Sequence, residues 1–333
     1  MKKTIISIFI AIFTIAPCFN LFSACSYLQN GDDKIAVVTT IFPEYDWTMN
    51  VLGKRASEAE TTLLISSGAD LHNFQPTVSD IAKISTCDLF VYVGGESDDW
   101  VDDALKNATN ENMIVINLLE TLGEKAKEEE ITEGMETEEE ESEDDQTEYD
   151  EHVWLSLKNA RIFVNEIASA LAKIDEPNSL LYAENAAAYN AELSALDKKY
   201  EGSIAESNKK TVLFGDRFPF RYLVDDYGLT YYAAFVGCSA ETEASFKTII
   251  FLANKVNELG LAAILKIENS DGKIAQTVKE NTTAKNQKIL TMDSLQSATE
   301  KEYENGRTYL KVMENNLAVL IGFRLFFFAV KRS

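Results

Sequence analysis

The first half of the chain alternates short apolar runs with stretches that carry a helical pattern. The first apolar run, residues 34–40, is rich in β-branched residues and lacks polar alternation, which predicts a buried strand of a parallel sheet. The predicted strands are residues 34–40, 61–65, 88–93 and 113–117, and the predicted helices are residues 46–52, 77–85 and 100–107. Strands and helices that alternate in this way predict an α/β layer.

The second half repeats the alternation after two long helical segments. Residues 153–173 are amphipathic, and residues 180–206 predict a helix that spans about 40 Å at about 1.5 Å per residue. The predicted strands that follow are residues 211–214, 229–236, 262–267 and 288–292, with helices at 220–227, 244–259, 273–282 and 303–319. We therefore predict an α/β fold of two Rossmann-like lobes with parallel sheets, residues 34–175 and 207–320, joined by a long rigid helix over residues 176–206.

The N-terminus has the pattern of an export signal. Lys2 and Lys3 precede an apolar stretch, and small residues then precede Cys25. Residues 1–24 resemble a bacterial lipoprotein signal cut before Cys25, which would carry the lipid, and residues 25–33 would form a tether. The alternatives are an ordinary signal peptide and an N-terminal membrane helix.

Charge is concentrated in one segment of a chain whose formal net charge is −23. Residues 121–151 contain 16 acidic residues and two lysines. We predict a mobile acidic loop over residues 123–150, which either is only solvated or collects cations. No basic patch is present in the sequence, which argues against nucleic-acid binding.

Two further features leave alternatives open. After removal of the signal and lipidation of Cys25, Cys87 and Cys238 either form a disulfide or remain two buried thiols. Residues 321–333 form an apolar tail that is too short to span a bilayer. This tail could dock on the body or lie on the membrane surface.

The chain has only two histidines, His72 and His152, and neutral imidazole is the commonest metal ligand in proteins. His72 follows the second predicted strand, and Asp216, Glu268 and Asp293 follow strands of the second lobe. Ligands of such sheets bind outside the carboxyl ends of the strands, so we expect these side chains to face one interlobe cleft.

Each of these side chains also has a plain structural interpretation. His72 could stabilise a turn, His152 could lie on the surface beside a disordered linker, and Asp293 could cap a turn. The three tryptophans are expected in the core or in lobe packing, and Glu44 with Tyr45 could line the rim of the cleft. The tryptophans are Trp47, Trp100 and Trp154.

Several ordered motifs resemble the substrate-binding lipoproteins of zinc and manganese ABC importers. Residues 68–80 (GADLHNFQPTVSD) resemble the first-ligand loop of that family, and the acidic run with residues 150–156 (DEHVWLS) resembles its second-ligand segment. Residues 241–245 (ETEAS) resemble a helix-opening segment, and residues 292–295 (MDSL) resemble the strand end whose aspartate completes the site. The resemblance covers residues 34–320 and implies metal ligation by His72, His152 and Asp293.

One family position departs from the pattern. Counting back from Gly228 places the third ligand at Arg217, which has no lone pair to offer a cation. Asp216 is adjacent and could take this role, as could Glu268. Alternatively, Asp293 alone joins the two histidines and water completes the site.

The resemblance implies an extracytoplasmic receptor that is anchored to the membrane by lipid. This receptor would deliver a bound divalent cation to an ABC permease and its ATPase. Two imidazoles with carboxylates favour Zn²⁺ as the cargo, with Mn²⁺ second. We expect a monomer without enzymatic activity. The rival hypotheses are a hydrolase that uses metal-bound water and a metal-independent surface adhesin.

Overall fold

The first strands of the chain form a four-stranded sheet in the order β2-β1-β3-β4, and all of its neighbours are parallel. The computed structural model describes residues 34–136, 148–207, 210–239 and 243–330, with side chains as far as residue 322. The elements of the first half are β1 (Ile35–Thr39), α1 (Phe42–Leu52), β2 (Ala59–Leu63), α2 (Val78–Thr86), β3 (Leu89–Tyr92), α3 (Trp100–Leu105), β4 (Ile114–Asn117), α4 (Leu118–Leu122), α5 (Leu157–Ile174) and α6 (Ser179–Ala205).

The second half contains three parallel strand pairs. The elements are β5 (Thr211–Leu213), β6 (Arg217–Phe218), α7 (Arg221–Tyr227), β7 (Thr230–Tyr232), β8 (Phe235–Val236), α8 (Phe246–Leu259), β9 (Ala263–Ile267), α9 (Lys273–Glu280), β10 (Lys288–Met292), α10 (Glu300–Glu304) and α11 (Tyr309–Val330). β5 pairs with β7, β6 with β8, and β9 with β10, while a bridge from Phe214 to Leu265 links the first and third pairs.

The long helix α6 packs against elements from both halves of the chain. It has 27 residues, and its buried positions recur every three or four residues along one face. Tyr189 on this face donates a hydrogen bond of 2.8 Å to Asp46, and Tyr200 donates one of 2.6 Å to the Met313 carbonyl. The predicted α/β fold with parallel sheets and a long helix is confirmed.

One hydrophobic core runs through both halves. A single cluster of buried side chains includes Val37 of β1, Trp47 of α1, Phe163 of α5 and Ile264 of β9. Residues from Lys34 onward form one compact unit. The core therefore packs residues from both halves of the chain together.

Most predicted element ends are close to the observed ones because local chemistry sets them. Thr77 caps α2 in a capping box with Asp80, and Gly228 and Gly260 adopt the left-handed conformation after α7 and α8. The predicted strand 229–236 is instead two strands, which are separated where the Ala234 amide donates to the Asp216 carbonyl at 3.0 Å.

Helix α1 starts four residues earlier than predicted. Pro43 lies in its first turn, where its missing amide hydrogen costs nothing. The Glu44 carboxylate is fully buried and accepts hydrogen bonds from the Thr40 and Ile41 amides, at 2.8 and 3.2 Å. Tyr45 is only 5% exposed, so neither residue lines an open rim as the sequence suggested.

The predicted closing helix and apolar tail are arranged differently from the prediction. Two helices, α10 and α11, replace the single helix predicted over residues 303–319, and α11 continues through the first ten residues of the predicted tail. Residues 331–333 lie outside the described residues. Among the helices described, none has both the length and the apolar character to cross a membrane.

Both described ends of the acidic segment make defined contacts. The Glu128–Tyr149 bridge is antiparallel, and the Asp150 amide donates to the Lys127 carbonyl at 2.8 Å. The Glu136 amide donates to the Ala234 carbonyl at 3.0 Å. The described ends of the segment are therefore attached to the body, whereas the predicted mobility of residues 137–147 concerns residues outside the description.

Candidate metal site

His72 lies on a single 3-10 turn, Leu71–Asn73, in the loop after β2. The carboxylate of Asp70 caps this turn by accepting from the His72 amide at 3.2 Å, and Leu71 anchors it through a fully buried side chain. The loop therefore presents its imidazole from a backbone that is held by the Asp70 cap and the buried Leu71 side chain.

His152 precedes a second 3-10 turn, Val153–Leu155, whose three side chains are all fully buried. The His152 imidazole is itself fully buried. Gly237 lies against it, because a Cβ atom at that position would be 2.7 Å from His152 Cε1. The backbone of Gly237, in the second half of the chain, therefore packs directly against the His152 imidazole with no side chain between them.

The two imidazoles meet through their Nε2 atoms, which are 3.3 Å apart. Two Zn–N bonds of about 2.0–2.1 Å at a tetrahedral angle would place their nitrogens about 3.3–3.4 Å apart. Burial and the neighbouring His152 both lower the pKa of His72, which favours the neutral imidazole that a metal needs.

Each imidazole is oriented through its other nitrogen. Asp150 Oδ1 lies 3.0 Å from His152 Nδ1, and a carboxylate only accepts, so the proton is on Nδ1 and the lone pair on Nε2. His72 Nδ1 lies 2.7 Å from Ser97 Oγ and 3.5 Å from Glu151 Oε2. Carboxylate partners of this kind fix the orientation and raise the basicity of metal-binding histidines.

The Asp150→Asn substitution should weaken Zn²⁺ binding about 10- to 100-fold, the range typical for such orienting partners. The amide loses the negative charge and can present an N–H group to the imidazole, which favours the wrong tautomer. Competition titration with a zinc-chelating dye measures the effect. Asp103→Asn is the matched control, since Asp103 is exposed and pairs with Lys106. Equal affinity of both variants would contradict the orienting role.

Gln296 is the third group at the imidazole pair. Its Oε1 accepts from Arg217 Nη2 at 3.4 Å, so its amide nitrogen faces the histidines. That nitrogen contacts His152 Nε2 and lies 3.4 Å from His72 Nε2. Arg217 also forms an ion pair with Asp70. The amide thus donates to the lone pair on His152 that a metal would require.

The Gln296→Ala substitution should therefore tighten Zn²⁺ binding. A hydrogen bond of about 1 kcal/mol that must break before the metal binds corresponds to about a fivefold gain in affinity. Calorimetric titration of the variant and of Gln287→Ala, a buried glutamine that bonds to Thr282, would test this. A weaker affinity in Gln296→Ala alone would mean that the amide oxygen turns and binds the metal.

Cys238 completes a cluster that the sequence did not predict. One ligand atom from each of His72, His152 and Cys238 lies within 4.8 Å of the others. Burial, followed by the charges of Glu151, Asp150 and Glu129, raises the pKa of its thiol. A cavity of about 260 Å³ reaches His72 and Cys238 and is also lined by four glutamates, Glu96, Glu129, Glu148 and Glu151.

The predicted carboxylate ligands have other partners. Asp293 forms a two-point ion pair with Arg307 at 2.8 and 2.9 Å. Glu268 accepts from the amide and hydroxyl of Ser294 at 2.7 and 2.8 Å. Asp216 accepts from the Arg217 and Ile267 amides at 3.0 and 3.3 Å. Within the described residues, the metal-ligand cluster contains neither Asp293 nor Asp216.

The alternatives for the remaining predicted residues can now be compared with the structure. Both described cysteines are free thiols, and Cys87 is fully buried with its sulfur 3.5 Å from Met113 Sδ. Trp47 and Trp154 lie in the core as predicted, while the partly buried Trp100 packs in a smaller cluster. Gln296 directly follows residues 292–295, the segment that resembles the strand end of the family, but no sequence feature singles out Gln296 itself.

These features define a class of α/β proteins that combine parallel sheets, one long helix and a pair of histidines against which the second half of the chain packs. Residues 37–322 match the family model described as ZnuA, zinc-uptake complex component A, periplasmic. The chain belongs to this family, which confirms the resemblance noted in the sequence.

Individual relatives agree with this assignment. The chain is 31% identical over 319 residues to the high-affinity zinc uptake system protein ZnuA of Bacillus subtilis, covering 93% of this chain and 95% of that protein. It is 31% identical over 307 residues to the zinc-binding lipoprotein AdcA of Streptococcus pneumoniae, covering 91% of this chain. The AdcA relatives are longer, and the chain spans 58 to 61% of their length.

A solved structure shows the same fold. The Zn(II)-bound ZnuA-like domain of Streptococcus pneumoniae AdcA superposes with a TM-score of 0.67 at 28% identity, covering 87% of this chain and 99% of that domain.

Proposed function

We propose that this chain is the metal-binding receptor of an ABC importer, which captures Zn²⁺ and delivers it to the permease. The observation that carries the proposal is the imidazole pair, whose Nε2 atoms are 3.3 Å apart and whose outer nitrogens face Asp150, Ser97 and Glu151. We assign His72 and His152 as ligands. The receptor class implies binding and release of the cation without covalent chemistry.

The proposal includes a location outside the cytoplasm. Residues 1–24 would be removed as a lipoprotein signal, and lipid on Cys25 would hold the receptor, as a monomer, at the membrane beside the permease and its ATPase. The likeness to a protein named zinc-binding lipoprotein supports this assignment. Metabolic labelling with a radioactive fatty acid tests it, because Cys25→Ala should abolish incorporation whereas Cys87→Ala should not.

The two halves of the cleft would correspond to residues 34–175 and 207–320, with residues 176–206 as the link. Because one core crosses these boundaries, we propose that release involves the loops that carry the site more than separation of rigid lobes. The four glutamates that line the cavity would attract the cation to His72.

Competition titration of residues 26–333 with Zn²⁺ and with Mn²⁺ tests the proposed function. We expect one Zn²⁺ per chain and much weaker Mn²⁺ binding, because imidazole suits zinc whereas manganese prefers oxygen ligands. Tighter Mn²⁺ binding would identify a manganese receptor. If neither Zn²⁺ nor Mn²⁺ binds, the receptor proposal is overturned and a metal-independent adhesin is favoured.

A further inference from the structure

The position that the family resemblance gives to the third ligand holds Arg217, and the structure shows what this arginine does instead. Its guanidinium forms an ion pair with Asp70, two residues before His72. It also donates to the Ser239 carbonyl at 3.5 Å, one residue after Cys238. Arg217 therefore ties the loop that carries His72 to the loop that carries Cys238.

The backbone before Cys238 is held in place by β6 and by His152. β8 pairs with β6 in parallel, so Phe235 lies opposite Arg217 and Val236 opposite Phe218. Gly237 follows, and a Cβ atom there would lie 2.9 Å from His152 Nδ1 and 3.0 Å from the Phe218 carbonyl. Only glycine permits this approach, which brings the next residue, Cys238, to the imidazole pair.

The result is a compact group of two nitrogens and one sulfur. Ligand atoms of His72, His152 and Cys238 lie within 4.8 Å of one another, and both His72 and Cys238 line the cavity. Zinc binds imidazole nitrogen and cysteine sulfur at about 2.0–2.3 Å, and three protein ligands with a fourth open position are an established arrangement. Small inward shifts of the three side chains would therefore place them around one cation.

On the basis of the proposed function, we propose that the Cys238 thiolate is the third protein ligand of the bound cation. Metal binding breaks the S–H bond, forms a metal–sulfur bond and releases the proton to solvent, with no change of oxidation state. A set of two imidazoles and one thiolate selects soft or borderline cations, so the cargo class is Zn²⁺ rather than Mn²⁺.

Thiolate ligation has an optical signature that the proposed function alone does not predict. We would titrate residues 26–333 with Co²⁺, because thiolate-bound Co²⁺ shows an intense near-ultraviolet charge-transfer band. Wild type and the matched control Cys87→Ala should both show the band. Cys238→Ser should lose the band and bind Zn²⁺ about tenfold or more weakly, since even outer partners of ligands contribute 10- to 100-fold.

A second measurement uses the unaltered thiols and does not depend on whether a variant folds. Mass spectrometry after maleimide treatment of the wild-type protein should show that stoichiometric Zn²⁺ protects Cys238, while modification of Cys87 stays the same with and without Zn²⁺. Zinc binding without a thiolate band and without protection would overturn ligation by Cys238 and leave the receptor function standing. Absence of any Zn²⁺ or Co²⁺ binding by wild type would overturn both proposals.

Discussion

The His152→Ala variant is expected to lose Zn²⁺ affinity by a factor on the order of 1,000, which exceeds the 10- to 100-fold effect of outer partners. The substitution removes one of the two nitrogens that meet at 3.3 Å and leaves Asp150 without the ring that it orients. Dye competition titration measures this loss directly.

The His72→Ala variant should show a loss of similar size, and the double variant should be little worse than either single one. Residues that act as one unit give strongly non-additive effects, because the first substitution already destroys the shared site. Asp103→Asn is a suitable control, since Asp103 is exposed and pairs with Lys106. If either single variant binds Zn²⁺ within threefold of wild type, the metal does not bind at this pair.

The elements and the histidine pair could be predicted because both depend on local pattern and topology. Apolar runs and helical periodicity are properties of neighbouring residues, and caps such as Thr77 and Gly228 act within one turn. Carboxyl ends of parallel strands meet at one edge, which is sufficient to place His72 near the second half of the chain. Its distance to His152 required the folded structure.

The surroundings of the pair could not be predicted because they depend on which side chain reaches which partner. Position after a strand suggested Asp293 as a ligand, but Arg307 lies near enough to form an ion pair with it. Cys238 stood out only as a candidate for a disulfide. Its role at the site depends on the close approach of Gly237 to His152, a contact between residues 85 positions apart.

Arg217 shows how a departure from a family pattern can be interpreted. The family resemblance places this arginine at the third-ligand position, where it has no lone pair to offer a cation, and the structure accounts for its charge through Asp70. The arginine also holds the Gln296 amide with its nitrogen toward the imidazoles. A residue that cannot bind the cation therefore changes the hydrogen bonding around the imidazole pair, and Gln296 and Cys238 are the residues through which this change would act.

The Trp154→Ala variant is expected to lower the free energy of unfolding by about 3–5 kcal/mol, the range for truncation of a fully buried large aromatic residue. Trp154 is fully buried and lies two residues after His152. Its Nε1 donates to the Ser294 carbonyl at 2.8 Å, and its own carbonyl accepts from the Tyr309 hydroxyl at 2.6 Å. It therefore joins the site segment to the loop after β10 and to helix α11.

Urea unfolding followed by circular dichroism measures this loss, and two variants separate its causes. Trp154→Phe keeps most of the apolar volume but leaves the buried Ser294 carbonyl without its donor, which should cost about 1–3 kcal/mol. Trp100→Ala makes the same chemical change at a partly buried position in the smaller cluster and should cost less. If Trp154→Ala costs no more than Trp100→Ala, the connection between the two halves rests on the other core contacts, and the site segment is held in place without this tryptophan.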